Sequence, residues 1–234
     1  MANFLRMLVG LALLPACWGV SRAFVDALLS AAGATGGLSI EALSLLGGIA
    51  AFAVAWMAVS HPVKAYVLGH ELTHALWGLL FGARPSDLKV GAKGGSVRLT
   101  KSNMLITLAP YFFPFYTFVV IVCALVVYAF VRPLPLLPLW MFLIGFTWAF
   151  HVLFTVETLM QRQPDVKLYG RLFSWAFIFL VNVVFVLAWL AAATPLTFAE
   201  LGGLLAKRLI SAYVGVGAFF WQGGLLIYRA CTRT

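Results

Sequence analysis

The amino-acid sequence predicts an all-α polytopic membrane protein with about six to seven transmembrane helices and one short β-hairpin. Of the 234 residues, 63% are hydrophobic and 10% are charged, and the mean hydropathy is +1.01. A soluble domain of this size does not need so much apolar surface, whereas a chain that crosses a bilayer several times does. Apolar runs long enough for transmembrane helices recur along the chain, separated by short polar loops.

The spans are assigned from their length and from helix-breaking residues, because an amphipathic face cannot be recognised where every face is apolar. In order along the chain, they cover residues 4–32, 40–60, 63–81, 104–131, 137–159, 172–193 and 209–228. Pro110 and Pro114 predict a kink in the fourth span. Arg22 and Asp26 lie four residues apart in the first span; either they pair along one helix face, or Ser21 and Arg22 break the span into two short helices.

The start of the chain has two interpretations. Arg6, an apolar run and Cys17 resemble a secretory or lipoprotein signal with acylation at Cys17. However, Pro15 fits a cleavage site poorly and the apolar sequence continues well beyond it, so we expect an uncleaved first helix. The three cysteines, at Cys17, Cys123 and Cys231, are scattered along the chain and predict neither a disulfide framework nor a metal site.

The net charge of +9 does not indicate nucleic-acid binding, because Lys and Arg lie in short loops between spans, where they orient a membrane protein. Basic residues follow the third span, between Arg84 and Lys101, and flank the link of residues 161–170. If the fourth and fifth spans form a helical hairpin, these two loops share one side, which the positive-inside rule makes cytoplasmic. Lys207 and Arg208, beside the seventh span, are an exception because they fall on the outer face.

The loop from Asp87 to Lys101 has the alternating pattern of a β-hairpin. Leu88 and Val90 alternate with polar residues in its first half, as do Val97 and Leu99 in its second half. A cluster of glycines between the two halves is typical of a tight turn. The hairpin is either an ordinary cytoplasmic loop or an edge to which an extended peptide can add a strand.

The third span carries His70-Glu71-Leu72-Thr73-His74, an H-E-x-x-H motif in apolar surroundings. Histidines four residues apart lie on one helix face, one turn apart, so both imidazoles can bind one metal ion. Glu71 is adjacent and can act as general base on a water bound to that metal. An ionisable residue at bilayer depth costs roughly 2.5–3.5 kcal/mol on insertion scales, so three of them so close together indicate a functional site.

Catalytic zinc usually has three protein ligands and one position open for water. The third ligand must come from elsewhere in the chain, and the candidates are His61, His151, Glu157 and Asp165. His61 precedes His70 by about 13 Å along a helix axis, which is too far for a shared ion. Asp165 is favoured because its link lies on the same predicted membrane side as the hairpin, while His151 and Glu157 stay open as alternatives.

The motif helix, the hairpin after it, the Pro-broken fourth span and the later Asp165 together resemble the site-2 protease family of intramembrane zinc metalloproteases, over about residues 63–184. The resemblance implies a Zn²⁺ site in the membrane near the cytoplasmic face. Its metal ligands would be His70, His74 and Asp165, and its catalytic residue Glu71.

The sequence therefore predicts a multi-pass membrane zinc endopeptidase whose substrate is a transmembrane or membrane-associated protein and whose active site lies toward the cytoplasm. Two alternatives are a membrane-embedded metal hydrolase acting on a lipid or small lipidated peptide, and a non-catalytic metal-binding membrane protein. A transporter is disfavoured because its ionisable residues would be spread over several spans. We expect N-terminal transmembrane helices in residues 1–62, a metalloprotease-like core in 63–194 and a C-terminal transmembrane helix in 195–234.

Overall fold

A computed structural model of the chain describes residues 2–34, 38–58, 61–91, 94–161 and 163–232. The elements in these ranges are, in order, α1 (Ala2–Ala34), α2 (Ile40–Ala58), α3 (Val63–Leu80), β1 (Pro85–Gly91), β2 (Gly94–Leu99), α4 (Met104–Phe112), α5 (Phe115–Phe130), α6 (Leu137–Met160), α7 (Pro164–Tyr169), α8 (Arg171–Ala193) and α9 (Phe198–Cys231). Ser60, the tip of the hairpin at residues 92–93, and Arg162 lie outside the described residues.

The helices confirm the prediction of an all-α polytopic membrane protein. In the described ranges, five helices are long and apolar enough to cross a membrane, namely α1, α2, α6, α8 and α9. Helices α4 and α5 together are also long and apolar enough to cross a membrane, and they meet at a 77° bend, which is the kink that Pro110 and Pro114 predict. Strands β1 and β2 pair in antiparallel fashion and confirm the predicted hairpin.

The predicted third span forms a helix, α3, but α3 is not among the candidate spans. Its 18 residues include Lys64, His70, Glu71 and His74, and these polar side chains lower its hydropathy. The polar residues of the motif are thus the reason why α3 is too polar to count as a candidate membrane span.

Contacts divide the chain into two compact units, Leu38–Ser174 and a second unit made of Met1–Gly37 with Trp175–Thr234. This division is based on which residues contact each other in space. The expected segments 1–62, 63–194 and 195–234 follow the order of the chain and stay a prediction.

In the unit Leu38–Ser174, α2 packs against α6 with the two backbones in direct contact. A Cβ atom on Gly48 would lie 2.0 Å from the Phe142 carbonyl oxygen, and one on Gly145 would lie 2.1 Å from the Leu45 carbonyl oxygen. Only glycine permits this approach. The close packing fixes α6, whose last turn lies beside the motif helix.

In the other unit, α1 and α9 run antiparallel. The Tyr213 hydroxyl donates to the Ala12 carbonyl at 2.8 Å, and Arg208 forms an ion pair with Asp26. The expected pair between Arg22 and Asp26 is therefore wrong, because the carboxylate binds a guanidinium from the neighbouring helix instead. Arg208 lies inside α9, rather than in a loop beside a span, so it is a packing residue and not an orientation signal.

Candidate metal centre

The two motif histidines of α3 face a carboxylate from α7. The His70 Nε2 atom lies 4.0 Å from the Asp165 Oδ2 atom, and the His74 Nε2 atom lies 3.7 Å from the same oxygen. The two imidazole rings have centroids 4.9 Å apart and stand at 79° to each other. This arrangement brings together the three residues that sequence reasoning proposed as ligands.

These three side chains have the geometry of a metal site. Their ligand atoms all lie within 4.8 Å of one another, and no other group of three His, Cys, Asp or Glu in the described residues does so. Tetrahedral Zn²⁺ with bonds of about 2.0–2.1 Å places its ligand atoms roughly 3.3 Å apart. The His74 and His70 separations from Asp165 exceed this spacing by about 0.4 and 0.7 Å, and no separation among the three atoms exceeds it by more than about 1.5 Å.

His74 is held by a backbone carbonyl of α4. Its Nδ1–H donates to the Ile106 carbonyl oxygen at 2.9 Å, so the Nε2 lone pair is left to face Asp165. The Asn103 side chain caps α4 by accepting from the Ile106 backbone N–H at 2.9 Å. Because metal-binding histidines commonly donate their second N–H in this way, the contact supports a ligand role.

Asp165 is held by Tyr111, a fully buried residue of α4. The Tyr111 hydroxyl donates to the Asp165 Oδ2 atom at 3.2 Å, and its ring meets the His70 ring edge-on at 5.2 Å between centroids. One side chain thus orients two of the three candidate ligands.

The short helix α7 sets the position of Asp165. Pro164 begins the helix, which favours its first turn, and the Ser174 hydroxyl donates to the Val166 carbonyl at 3.2 Å. Burial alone raises the pKa of Asp165, but the imidazoles of His74 and His70 and the Tyr111 hydroxyl lower the pKa below the ordinary value of a carboxyl. The ionised form, which binds metals, is therefore the favoured one.

Glu71 lies between the ligands and the hairpin. Its side chain is only 7% exposed, and strand β2 packs directly over it. A Cβ atom on Gly95 would lie 2.9 Å from the Glu71 Cγ atom and 2.6 Å from the Val67 Cγ1 atom. Glycine at this position therefore lets the strand approach the motif helix beside the predicted general base.

The motif and the hairpin line one open cavity of about 560 Å³. Its floor holds the three candidate ligands and Glu71. Its walls are formed by one stretch of β2, the start of α3, the last turn of α6 and the residues that lead into α7; they are Val63, Tyr66, Val67, Gly94, Gly95, Ser96, Val97, Phe154, Glu157, Thr158, Gln161, Gln163 and Pro164. A metal bound at the floor would be accessible to a ligand that enters along β2.

The alternative third ligands do not belong to the metal-binding group, although Glu157 lines the same cavity. His61 stacks on the Trp56 ring, with centroids 3.7 Å apart, and its Nδ1 atom lies 3.9 Å from the Glu157 Oε2 atom. His151 is buried in α6 and lines a small neighbouring cavity together with His70, but it does not belong to the metal-binding group.

Sequence reasoning missed three contributors to the site, namely Tyr111, the Ile106 carbonyl and the close approach at Gly95. Tyr111 lies between the two prolines of the predicted kink, and its residue type alone does not mark it as a partner of Asp165. A backbone carbonyl carries no sequence signal, because every residue has one. The glycines of the hairpin were visible, yet they suggested a turn rather than a contact with α3.

Comparison of the chain with protein-family models, with curated proteins and with solved structures found no match. The function is therefore inferred from the chemistry of the site itself.

Proposed function

We propose that this chain is a multi-pass membrane zinc endopeptidase of the site-2 protease type. The observation that carries the proposal is the convergence of His70, His74 and Asp165 beside Glu71 in one cavity. Three ligands leave a coordination position for water, as in catalytic rather than structural zinc sites. The site therefore combines a metal position with a carboxylate that can move protons.

The donor set suits zinc better than it suits several other metals. Two imidazoles are borderline donors and the carboxylate is a hard one, a mixture that zinc accepts, whereas Mg²⁺ and Ca²⁺ prefer oxygen ligands throughout. The same donors also occur in non-haem iron oxygenases. We favour zinc because Glu71 stands directly between the two histidines in sequence, in the position of a hydrolytic base.

Zinc, when bound, supplies a Lewis acid that lowers the pKa of a water and polarises the scissile carbonyl. Glu71 takes the proton from that water and later passes it to the leaving amine. Tyr111 keeps Asp165 in place throughout, since its hydroxyl contacts the carboxylate. Gln161 and Gln163 line the same cavity, and we propose that their side-chain amides donate to the developing oxyanion.

The hairpin favours an extended peptide as the substrate. Residues 94–97 of β2 line the cavity, so a peptide lying there runs beside a strand and can add to it. A transmembrane helix must unwind before cleavage, because its carbonyls are bonded within the helix. Hydrogen bonds between the extended substrate and β2 replace the helix hydrogen bonds that the substrate loses when it unwinds. This feature favours a peptide over a lipid substrate.

Zinc analysis and peptide cleavage on the purified full chain test this proposal. We expect about one zinc per chain and cleavage of a membrane peptide that stops on chelation and returns when zinc is added. The double variant His70→Ala/His74→Ala should lose both properties.

His61→Ala is the matched control, because it removes an imidazole outside the ligand group and should keep zinc and cleavage. Full zinc content in the double variant would refute the proposed metal site. Zinc binding without cleavage of any membrane peptide would support the non-catalytic alternative.

A further inference from the structure

The two motif histidines differ in how their second ring nitrogen is held. The His74 Nδ1–H donates to the Ile106 carbonyl oxygen at 2.9 Å. The His70 Nδ1 atom is buried, and no protein atom in the described ranges forms a hydrogen bond with it. A neutral histidine that binds metal through Nε2 carries its proton on Nδ1, and this N–H commonly has an acceptor that orients the ring. His70, as a proposed ligand, therefore needs such an acceptor.

A small cavity lies beside the His70 ring, between α3, the bend of α4 and α5, and α6. The ring lines both this cavity and the larger one that holds the candidate ligands. Aromatic rings form most of the walls of the small cavity, and its volume is about 20 Å³. A water molecule needs roughly 10–15 Å³, so the cavity has room for about one water and is too small for an organic ligand.

The polar groups around the small cavity include one imidazole from another helix. The Thr73 hydroxyl donates to the Gly69 carbonyl at 2.7 Å. The Tyr116 hydroxyl donates to the Ala65 carbonyl at 2.6 Å. His151 reaches the same cavity from α6, and its side chain is buried. Because a neutral imidazole carries one lone pair in the plane of its ring, His151 can accept a hydrogen bond from a water in this cavity.

We propose that one water bridges the His70 Nδ1–H and a ring nitrogen of His151, which makes His151 a positioning residue for the metal ligand His70. The water accepts from His70 and donates to His151. The bridge keeps the lone pair of His70 on Nε2, the atom that lies 4.0 Å from the Asp165 Oδ2 atom. A bridging water is nearly as favourable in enthalpy as a direct hydrogen bond. This inference rests on the proposed function and gives His151 a role outside the ligand group.

The zinc affinity of the purified full chain, measured by competition with a chromogenic chelator, tests the bridge. His151→Leu keeps an apolar side chain in the site but has no acceptor, whereas the amide oxygen of His151→Gln can accept from the water. We expect His151→Leu to bind zinc about tenfold more weakly than the wild type, and His151→Gln to recover most of that loss. A residue that served only for packing would show the opposite order, because leucine suits the aromatic walls better than glutamine. Both variants should still fill with zinc when the metal is in excess.

Thr155→Val is the matched control, because Thr155 lies one turn further along α6, is also buried and lines neither cavity. Its zinc affinity should equal that of the wild type. Wild-type affinity in His151→Leu, or an equal loss in His151→Leu and His151→Gln, would overturn the bridge while zinc binding by the wild type still supports the proposed function. A wild type that binds no zinc would refute the proposed metal site, and the bridge with it.

Discussion

Gly95→Ala tests the close approach of the hairpin to the motif helix at Val67 and Glu71. The added Cβ atom would lie 2.6 Å from the Val67 Cγ1 atom, 2.7 Å from the Lys89 carbonyl oxygen and 2.9 Å from the Glu71 Cγ atom. Carbon atoms in contact are normally about 3.5–4.0 Å apart, so strand β2 or the Val67 and Glu71 side chains must shift by about 1 Å. The candidate metal ligands lie on α3 and α7 and do not depend on this strand.

We therefore expect Gly95→Ala to keep its zinc and to lose activity. A displacement of about 1 Å between a substrate and its catalytic group can cost about 10²-fold in rate. The assay pairs zinc content with kcat/KM for cleavage of a membrane peptide by the detergent-solubilised protein.

Gly91→Ala is the matched control, since its Cβ atom meets only the Gly94 carbonyl oxygen, at 3.3 Å, and lies away from α3. Wild-type cleavage by Gly95→Ala would refute the idea that β2 positions the substrate. Loss of zinc from Gly95→Ala would show instead that the strand supports the metal ligands.

Three further predictions concern the ligands and the topology. Tyr111→Phe removes the hydroxyl that contacts Asp165 and should weaken zinc binding by about 10–100-fold, measured by competition with a chromogenic chelator; unchanged affinity would show that this hydrogen bond does not support the site. Asp165→Ala should lose zinc whereas His151→Ala should retain it, and the reverse result in elemental analysis would exchange their roles. Single cysteines at Ser96 and Lys167, in a background without the native cysteines, should react with an impermeant reagent from the same side of the membrane, and labelling from opposite sides would contradict the proposed cytoplasmic site.

Local signals in the sequence predicted most of the fold. The distance between helix-breaking residues located the helices. Pro110 and Pro114 located the bend between α4 and α5, and the alternation of apolar and polar residues located the β-hairpin. The start of α9 was placed too late, because Lys207 and Arg208 looked like a loop. A local signal was nevertheless present, since Thr197 and Glu200 form a reciprocal capping box at the start of this helix.

The features of the fold that the sequence did not predict depend on contacts between segments that are far apart in the chain. Asp26 has a suitable partner four residues away in Arg22, yet it binds Arg208 from the other end of the chain. Pairing along one helix is worth only a few tenths of a kcal/mol, so a bidentate contact from a neighbouring helix readily replaces it. Such contacts depend on how α1 and α9 pack, and a single sequence does not encode that in a local pattern.

The candidate site likewise contains residues that the sequence predicts and residues that it does not. His70, Glu71 and His74 are predictable because their spacing on one helix determines which face they share. The approach of Asp165 depends on α7 and on Tyr111, and residue type alone did not separate it from His151 or Glu157. The support from Ile106 and Gly95 acts through backbone position, which leaves no distinctive side chain to recognise.

The central claim of the proposed function is that Glu71 accepts the proton of the attacking water. Glu71→Gln tests this claim most directly. The amide keeps the size of the side chain but cannot accept the proton of the attacking water. Zinc content and cleavage of a membrane peptide are measured on the same preparation, with Glu157→Gln as a control that changes another carboxylate of the cavity. We predict that Glu71→Gln keeps its zinc while cleavage falls by about 10²–10⁴-fold. Cleavage at the wild-type rate by zinc-loaded Glu71→Gln would contradict the account.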